Sequence, residues 1–364
     1  MKLLYLGDIN SSHTLKWITS LSKYIDEICI FSFKPLEINS YKDIKNIKIE
    51  TLDIKNNQKI INKINYLKGI SKLKKIIKNF KPDILHAHYA TSYGLLGALS
   101  GFHPFILSVW GSDVFDFPKK SFFHKYILKY NLKKADKIVS TSNFMAKETQ
   151  LYTDKYIEVI PFGIDLEQFK PMNIKNQFFN ENDIVIGTVK ALEKIYGIEY
   201  LIKAFKILSD KYKQLPLKLL IVGGGSLENK LKNLTSALNI EDKTIFVGKV
   251  PFLEVPKYHN MLSISVFMSL QESFGVSVIE SMACEKPVIV SDAGGLREIV
   301  ENGVTGFVVP SKRYDLAAKA MENMILNKSI REELGKNGRK RVKKLYNWED
   351  NVKQIIKIYK DILK

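Results

Sequence analysis

The sequence predicts an α/β protein built from two Rossmann-like halves, each a parallel sheet with helices on both faces. The chain has 364 residues, which is long for one domain and sufficient for two. Short apolar runs such as "KLLYLG", "EICIFSF", "DILHAHY" and "FILSVWG" alternate with stretches of helical periodicity, the pattern of parallel strands with crossover helices. The alternation stops in a Pro- and Gly-rich segment near 160–171 and starts again at "DIVIGTV".

The expected domain borders follow from the same pattern. We expect an N-terminal domain over 1–165 and a C-terminal domain over 166–347, with two sheets that face a central cleft. The segment near 348–364 has apolar residues at helical spacing, and we expect a helix there that packs back on the first domain. Open parallel sheets bind ligands at the carboxyl ends of their strands, so the chemistry is expected in the loops after strands.

Composition excludes several classes of protein. The apolar content of 45% and the 20 phenylalanines are enough for sizeable cores and exclude a disordered chain. Cys29 and Cys284 fit no metal or redox spacing and suit a reducing compartment. The first apolar run breaks at Gly7, too early for a secretory signal. We interpret the uncharged stretch between Asp83 and Asp113 as two buried strands with a loop between them, and we expect a soluble, cytoplasmic protein.

Part of the net charge of +18 comes from one lysine-rich segment. Lys55 to Lys81 carries nine lysines and no acidic residue, with apolar residues every three or four positions. A basic amphipathic helix of this kind suits an anionic membrane surface, which would make the protein peripheral on the inner face of the cytoplasmic membrane. A solvated lysine face is the alternative, and both stay open. The lysines are not interleaved with aromatic stacking residues, so no nucleic-acid partner is expected.

A candidate ligand site lies in "SLQESFGVSVIESMACEKPVIVSDAGG". The backbone N–H groups of Phe274 to Val276 would be free donors at the start of a helix, which favours an anion. Glu280 lies one turn beyond Val276 among small and apolar neighbours, so we expect it to be buried. A buried carboxylate requires a partner. A ribose diol would donate two hydrogen bonds to it, and an ion pair with Lys286 is the alternative.

The two glutamates separated by seven residues, followed by "SMACEKPVIVSDAGGLREIVENGVTGFVV", resemble glycosyltransferase family 4, the retaining group 1 transferases of GT-B fold. The resemblance extends through "LLIVGGGSLENKLKNL", "IFVGKV" and "VIPFGIDLEQFKP", and more faintly through the N-terminal half. It implies a retaining, metal-independent hexosyltransferase that uses a nucleotide-diphosphate sugar as co-substrate and needs no cofactor.

The resemblance also implies roles for residues of the C-terminal half. The family glutamate that matches Glu280 holds the ribose hydroxyls, and the one that matches Glu272 contacts hydroxyls of the donor sugar. Residues near Gly248 to Val250 would flank the base. The residues expected to bind the donor are Gly7, Phe274, Gly275, Val276, Glu280, Gly248 and Val250.

The residues that neutralise the diphosphate depart from the family pattern. Most members have an arginine after the glycine strand and a lysine before a glycine, where "GTVKALEKIYG" has Ala191 and Tyr196. A departing diphosphate needs positive charge, and no metal-binding arrangement is evident in the sequence. We predict that Lys190 and Lys194 supply this positive charge. The alternative is that one of the two is an ordinary surface lysine with no role in the site.

The N-terminal half matches the family less closely. "GDINSSH" replaces a glycine-rich loop, so Ser11, Ser12 or His13 would substitute as donors, and His13 would either contact a ligand or cap a helix. Trp110 occupies the place of a family histidine. Asp113 fits the family aspartate and is predicted to orient an acceptor hydroxyl.

Two further histidines, His86 and His88, face one side of a strand. These two histidines would either pack in the core or line the cleft. They would bind a metal only if a third ligand were present. The predicted catalytic set is Lys190, Lys194, Glu272 and Asp113. The acceptor-side candidates are His13, His86, His88 and Trp110.

The expected function is transfer of a hexose to the hydroxyl of a glycan or lipid-linked acceptor, in the synthesis of cell-surface polysaccharide or glycolipid. Two alternatives come from other classes. A catalytically silent nucleotide-sugar binder of the same fold would explain the missing arginine and histidine, and a basic nucleic-acid-binding protein would explain the charge.

Overall fold

The computed structural model describes residues 1–37, 40–52, 63–175 and 177–364, with the side chains of 63–67 left out. The chain divides into two compact units, one made of 1–161 with 349–364 and the other of 162–348. Each unit contains its own parallel sheet with helices, so the predicted α/β class with two Rossmann-like halves is confirmed.

The first unit contains a seven-stranded parallel sheet in the order β3-β2-β1-β4-β5-β6-β7. Its strands are β1 (Lys2–Leu6), β2 (Glu27–Ser32), β3 (Ile47–Thr51), β4 (Ile84–His88), β5 (Phe105–Val109), β6 (Lys137–Ser140) and β7 (Ile157–Val159). Its helices are α1 (Ser12–Leu21), α2 (Lys63–Phe80), α3 (Ser92–Ser100), α4 (Ser112–Phe115), α5 (Phe122–Lys134), α6 (Asn143–Gln150) and, at the end of the chain, α14 (Trp348–Ile362).

The sequence of the first unit explains its packing. Every residue of β4 and β5 is buried, because helices cover both faces of a parallel sheet and its strands become continuous apolar runs. The uncharged stretch between Asp83 and Asp113 therefore forms two buried strands, as predicted, but helix α3 lies between them where a loop was expected. The chain returns through α14, on which Tyr359 is fully buried against β4.

The basic helix predicted over Lys55–Lys81 is described only in part, because residues 55–62 lie outside the described residues. In α2, Leu73 and Ile76 are buried in the core while Lys68, Lys74, Lys75 and Lys78 are exposed. The described apolar residues of α2 are thus used for packing. This favours the solvated lysine face, and membrane binding by this segment stays a prediction. Among the helices that the structure describes, none has the length and apolar character needed to span a membrane.

The second unit contains a six-stranded parallel sheet in the order β10-β9-β8-β11-β12-β13. Its strands are β8 (Ile184–Val189), β9 (Leu217–Val222), β10 (Thr244–Gly248), β11 (Ile264–Phe267), β12 (Val288–Ser291) and β13 (Gly306–Val309). Its helices are α7 (Ile198–Lys211), α8 (Glu228–Ala237), α9 (Val255–Met261), α10 (Val276–Ala283), α11 (Leu296–Ile299), α12 (Tyr314–Leu326) and α13 (Lys328–Leu345).

The strand orders locate the ligand-binding edges. In the first sheet β1 lies between β2 and β4, and in the second β8 lies between β9 and β11, so the chain reverses direction across the sheet at these strands. Sheets of this type bind ligands outside the carboxyl ends of the strands at that reversal. The loop after β8 begins with Lys190, and the loop after β11 contains Glu272.

Candidate active site

Glu280 lies on α10, which the chain enters through a glycine with a left-handed backbone. Gly275 has φ +115°, and a Cβ there would lie 2.5 Å from the Leu296 side chain, so only glycine fits. Val278, Ile279 and Met282 pack the helix against the core. Glu280 is only 6% exposed, as its small and apolar neighbours predict.

Within the described ranges, the carboxylate of Glu280 has one hydrogen-bonding neighbour, His259, which the sequence did not indicate. His259 lies on α9 and is fully buried, and its Nε2 is 3.4 Å from Glu280 Oε2. Lys286 donates instead to the backbone oxygen of Asn260 at 2.9 Å, so the alternative ion pair is not formed. A contact of 3.4 Å is long for a charged hydrogen bond. The carboxylate is therefore buried but only weakly held, which leaves it capacity to accept hydrogen bonds from a ligand.

Lys190 and Glu272 form an ion pair at the ends of the neighbouring strands β8 and β11. Lys190 Nζ lies 2.8 Å from Glu272 Oε2, and each side chain is 12% exposed. Burial by itself lowers the pKa of Lys190, but the nearby Glu272 carboxylate outweighs it and raises the pKa above its usual value, with Glu280 acting in the same direction. Lys190 is therefore a charged ammonium that faces two carboxylates.

Tyr196 supports that ammonium from another side. Lys190 Nζ lies 4.2 Å from the centroid of the Tyr196 ring, within the range of a cation–π contact. The resemblance described above places a family lysine at the position of Tyr196, and in this structure the position presents an aromatic face to Lys190. Lys194 is exposed, at the start of a short 3₁₀ turn, and has no salt bridge in the described part of the chain.

The start of α10 offers free donors beside this ion pair. Among the described residues, no acceptor is found for the N–H groups of Phe274, Gly275 and Val276. The Phe274 ring is buried between Phe162 and Tyr346, with centroids 5.9 Å and 5.5 Å away. The loop is thus anchored by its aromatic side chain, and its amides are left for an anion.

The loops after β8, β9 and β10 pack tightly through glycines. A Cβ on Gly223 would lie 2.0 Å from Lys190 O, so the backbone after β9 requires glycine to approach the loop of Lys190. Gly248 accepts from the Gly223 N–H and has open space at its own Cβ position. Val250 packs on the neighbouring apolar cluster. The predicted base-flanking residues therefore border the same loop as Lys190.

Asp113 lies in the first unit and is fully buried. Its carboxylate accepts from the N–H groups of Ala90 at 2.7 Å, Gly111 at 2.7 Å and Trp110 at 3.1 Å. Burial raises the pKa of Asp113, while these backbone donors act in the opposite direction. The carboxylate therefore ties together the loops after β4 and β5. Because its oxygens face backbone amides, the structure supports a positioning role for Asp113, and its direct contact with an acceptor hydroxyl stays a prediction.

The two histidines on β4 have different surroundings. His86 contacts Tyr359 Oη through Nδ1 at 2.6 Å and Ser108 Oγ through Nε2 at 2.8 Å. Burial lowers the pKa of His86 to about 3, so it is a neutral packed residue with both nitrogens occupied. His88 is 6% exposed, and neither of its ring nitrogens has a hydrogen-bond partner among the residues that the structure describes. Burial also lowers the pKa of His88.

The remaining acceptor-side candidates gather around His88. The centroid of Trp110 lies 5.2 Å from that of His88, and that of His13 lies 5.3 Å from Trp110. His13 is in the first turn of α1, whose N-cap is Ser11. Gly7 follows β1 close to the Tyr5 ring, where a Cβ would approach to 2.8 Å. In the described part of the chain, no group of three or more His, Cys, Asp or Glu residues is arranged to hold a metal ion.

Comparison with known proteins identifies the family. Residues 169–341 match the model described as "Glycosyl transferases group 1", and residues 2–142 match "Glycosyl transferase 4-like". The chain is 31% identical over 342 residues to the uncharacterized glycosyltransferase MJ1178 of Methanocaldococcus jannaschii, covering 92% of this chain and 90% of that protein. It is 32% identical over 235 residues to the capsular polysaccharide biosynthesis glycosyltransferase CapM of Staphylococcus aureus, covering 62% and 59%.

Solved structures share the fold. The Anabaena protein HepE in complex with UDP superposes with a TM-score of 0.82 at 18% identity, covering 99% of this chain and 100% of that one. The same protein in complex with UDP-glucose gives a TM-score of 0.78 at 17% identity, covering 99% and 100%. With both halves matched by family models and a close relative along nearly its whole length, the chain belongs to the group 1 glycosyltransferases of family 4 type, with the GT-B fold.

Proposed function

We propose that this glycosyltransferase moves a hexose from a nucleotide-diphosphate sugar to the hydroxyl of a glycan or lipid-linked acceptor, with retention of anomeric configuration and without a metal ion. The observation that carries the proposal is the buried and weakly held carboxylate of Glu280, close enough to the Lys190–Glu272 pair to act on the pKa of Lys190. Such a carboxylate needs hydrogen-bond donors, and a ribose diol supplies two.

The donor's other groups find complementary partners in the same unit. The ammonium of Lys190 has three N–H donors and gives one to Glu272, which leaves donors for phosphate oxygens. The amides of Phe274 to Val276, for which the described residues offer no acceptor, are proposed to bind the same anion. Glu272 then accepts from hydroxyls of the donor sugar. Lys194, exposed on the adjacent turn, is proposed as a supplementary cation.

Catalysis in this proposal is electrostatic. Negative charge develops on the diphosphate as the glycosidic bond breaks, and a fixed positive group that stabilises this charge lowers the barrier. Lys190 is such a group, because Glu272 and Tyr196 hold its ammonium in place. We propose that the acceptor attacks on the face of the leaving phosphate, which takes the acceptor's proton. Retention follows from this geometry.

The first unit is proposed to bind the acceptor. His88 is buried, and no described residue pairs with either of its ring nitrogens. A sugar hydroxyl is a suitable partner for them. His13 and Trp110 lie next to it, and Asp113 holds the Trp110 backbone in place. The similarity to CapM, a capsular polysaccharide biosynthesis glycosyltransferase, supports cell-surface polysaccharide as the product class. The HepE complexes support a UDP-sugar as the donor. A cytoplasmic location would give access to such donors.

Product analysis tests the proposal. Purified protein is incubated with UDP-, GDP- and ADP-hexoses of α configuration and a panel of glycan and lipid acceptors, with and without EDTA. We expect transfer to one acceptor class, an α-linked product by NMR, and no loss of rate with EDTA. A β-linked product contradicts retention, and inhibition by EDTA contradicts metal independence. Donor binding without turnover on any acceptor favours the catalytically silent nucleotide-sugar binder. Salt-sensitive binding of nucleic acid that Glu280→Ala does not change favours the basic nucleic-acid-binding protein.

A further inference from the structure

The first unit exposes a group of aromatic side chains at the beginning of α5. Phe122, Phe123 and Tyr126 are 84%, 73% and 61% exposed. Tyr126 follows the two phenylalanines by four and three positions, so all three lie on adjoining parts of one helix surface. Single exposed apolar residues are ordinary, but a contiguous group marks an interaction surface.

This exposure is not a consequence of a loosely attached helix. Leu128 and Leu132 are fully buried on the opposite side of α5, and Asn131 donates to Ala90 O at 2.9 Å. The first turn is capped, because Ser121 Oγ accepts from the N–H of His124. The His124 ring also packs edge-on against Phe117 at 4.7 Å. The helix is therefore fixed to the core while its aromatic side chains remain outside.

Lysines surround the three aromatic residues, and together they form what we call the aromatic–lysine face. Its exposed lysines are Lys119, Lys120, Lys125, Lys129, Lys133 and Lys134. No acidic residue occurs between Asp116 and Asp136, and Asp136 is held by His103 at 2.7 Å. The face thus presents positive charge that no acidic residue within the segment neutralises.

The neighbouring helix α2 adds positive charge near this face. Helix α3 packs against both α2 and α5, and Leu73, Leu96 and Leu128 of the three helices belong to one core cluster. The exposed lysines of α2 therefore lie on the same side of the sheet as the aromatic–lysine face. Among the side chains that the structure describes on α2, α3 and α5, the exposed aromatic ones lie on α5.

We propose that the aromatic–lysine face docks on an anionic lipid surface. Phe122, Phe123 and Tyr126 enter the headgroup–acyl boundary, where aromatic side chains are favoured, and the lysines contact lipid phosphates. We infer a lipid surface because lysines around an apolar centre complement the negative headgroups and apolar interior of an anionic membrane. A second copy of the chain would bring the same positive charges together and be repelled.

Vesicle binding tests this proposal. The full chain is sedimented with vesicles of phosphatidylcholine alone and of phosphatidylcholine with phosphatidylglycerol. We expect binding to the anionic vesicles, weakened by salt. The triple variant Phe122→Ser, Phe123→Ser, Tyr126→Ser should lower the partition coefficient by roughly ten-fold or more. Lys125→Gln with Lys129→Gln should lower it by about five-fold for each lysine.

A matched control distinguishes the face from general stickiness. Leu151 and Tyr156 are 67% and 73% exposed elsewhere in the first unit, and Leu151→Ser with Tyr156→Ser should bind vesicles as the unchanged chain does. All variants alter exposed side chains, and thermal melting confirms that they fold. The proposal is overturned if the unchanged chain does not bind anionic vesicles or if the triple variant binds equally well. It is also overturned if the triple variant instead abolishes a dimer or RNA binding.

Discussion

Lys190 and Glu272 form a nearly buried ion pair that joins the loops after two neighbouring strands, β8 and β11, with Nζ 2.8 Å from Oε2. Removing two charges from water is costly, and such a pair often contributes little net stability. A buried cation and carboxylate at the ligand-binding edge of a parallel sheet are therefore better explained by the ligand they serve. A bound diphosphate would accept hydrogen bonds from the Lys190 ammonium, and the Glu272 carboxylate could then accept hydrogen bonds from sugar hydroxyls.

The first prediction concerns the charge of Lys190. Lys190→Met removes the ammonium and should lower kcat by about 10²- to 10³-fold, the usual effect of removing one group that stabilises transition-state charge. Steady-state rates with saturating donor measure this effect. Lys230→Met, at an exposed position of the same unit, is the control and should leave kcat unchanged. A Lys190→Met enzyme that is folded and retains its kcat would exclude Lys190 from catalysis.

The second prediction concerns the aromatic face under Lys190. Tyr196→Phe keeps the ring that lies 4.2 Å from Nζ and should retain nearly full kcat/KM. Tyr196→Leu removes the ring, and the loss of a cation–π contact should lower kcat/KM for the donor by about 3- to 30-fold. The difference between the two variants is the relevant quantity. Equal values for both would mean that the ring does not position the ammonium.

The third prediction concerns Asp113. Its carboxylate accepts from three backbone N–H groups, and Asp113→Asn replaces one accepting oxygen by a donor. The first unit should lose about 2–3 kcal/mol of unfolding free energy, the cost of unsatisfied buried groups. Urea unfolding followed by tryptophan fluorescence measures this, since Trp110 is next to the site. Asp116→Asn, at an exposed position, should have no comparable effect. Equal stability of the two variants would contradict the positioning role.

The fourth prediction concerns pH. His86 has its pKa lowered from 6.5 to about 3 by burial, so below pH 6.5 the unfolded chain binds a proton that the folded chain does not. The unfolding free energy should therefore fall as pH decreases from 6.5 toward 3, by up to about 1.4 kcal/mol per pH unit for this group. His88, whose pKa burial also lowers, adds to the slope.

Urea unfolding at pH 7 and pH 5 measures that slope. His88→Phe should reduce the slope of unfolding free energy against pH by the contribution of one titrating histidine. His103→Gln, which changes an exposed histidine, serves as the comparison. A stability that is constant across this range would show that the buried histidines of β4 do not remain neutral in the fold.

The sequence predicts much of the fold because buried parallel strands leave a direct signal. The runs that become β4 and β5 are continuous and apolar, since both faces of the sheet are covered. The burial of Glu280 could be predicted for a similar reason. Its neighbours on α10 are local in sequence, and their size and polarity determine the environment of the side chain.

Contacts between distant elements could not be predicted in this way. His259 meets Glu280 across 21 residues and a different helix, and no local pattern pairs them. An aspartate such as Asp113 is a residue type that can bind the hydroxyl of a sugar acceptor. Its carboxylate instead accepts from the N–H of Ala90, which follows a different strand, and the local sequence does not indicate this contact. The exposure of Phe122 and Phe123 is likewise invisible in composition, because apolar residues at the start of a helix are normally expected in the core.

Calorimetric titration of UDP, GDP and ADP into the protein and two variants tests the central assignment most directly. Glu280→Gln keeps the volume of the side chain but removes its charge. Glu254→Gln changes an exposed carboxylate of the same unit. We predict that one nucleotide binds the unchanged chain, that Glu280→Gln weakens its binding by about ten-fold or more, and that Glu254→Gln binds it normally. Equal affinity of Glu280→Gln and the unchanged chain would contradict the assignment of this carboxylate to the ribose.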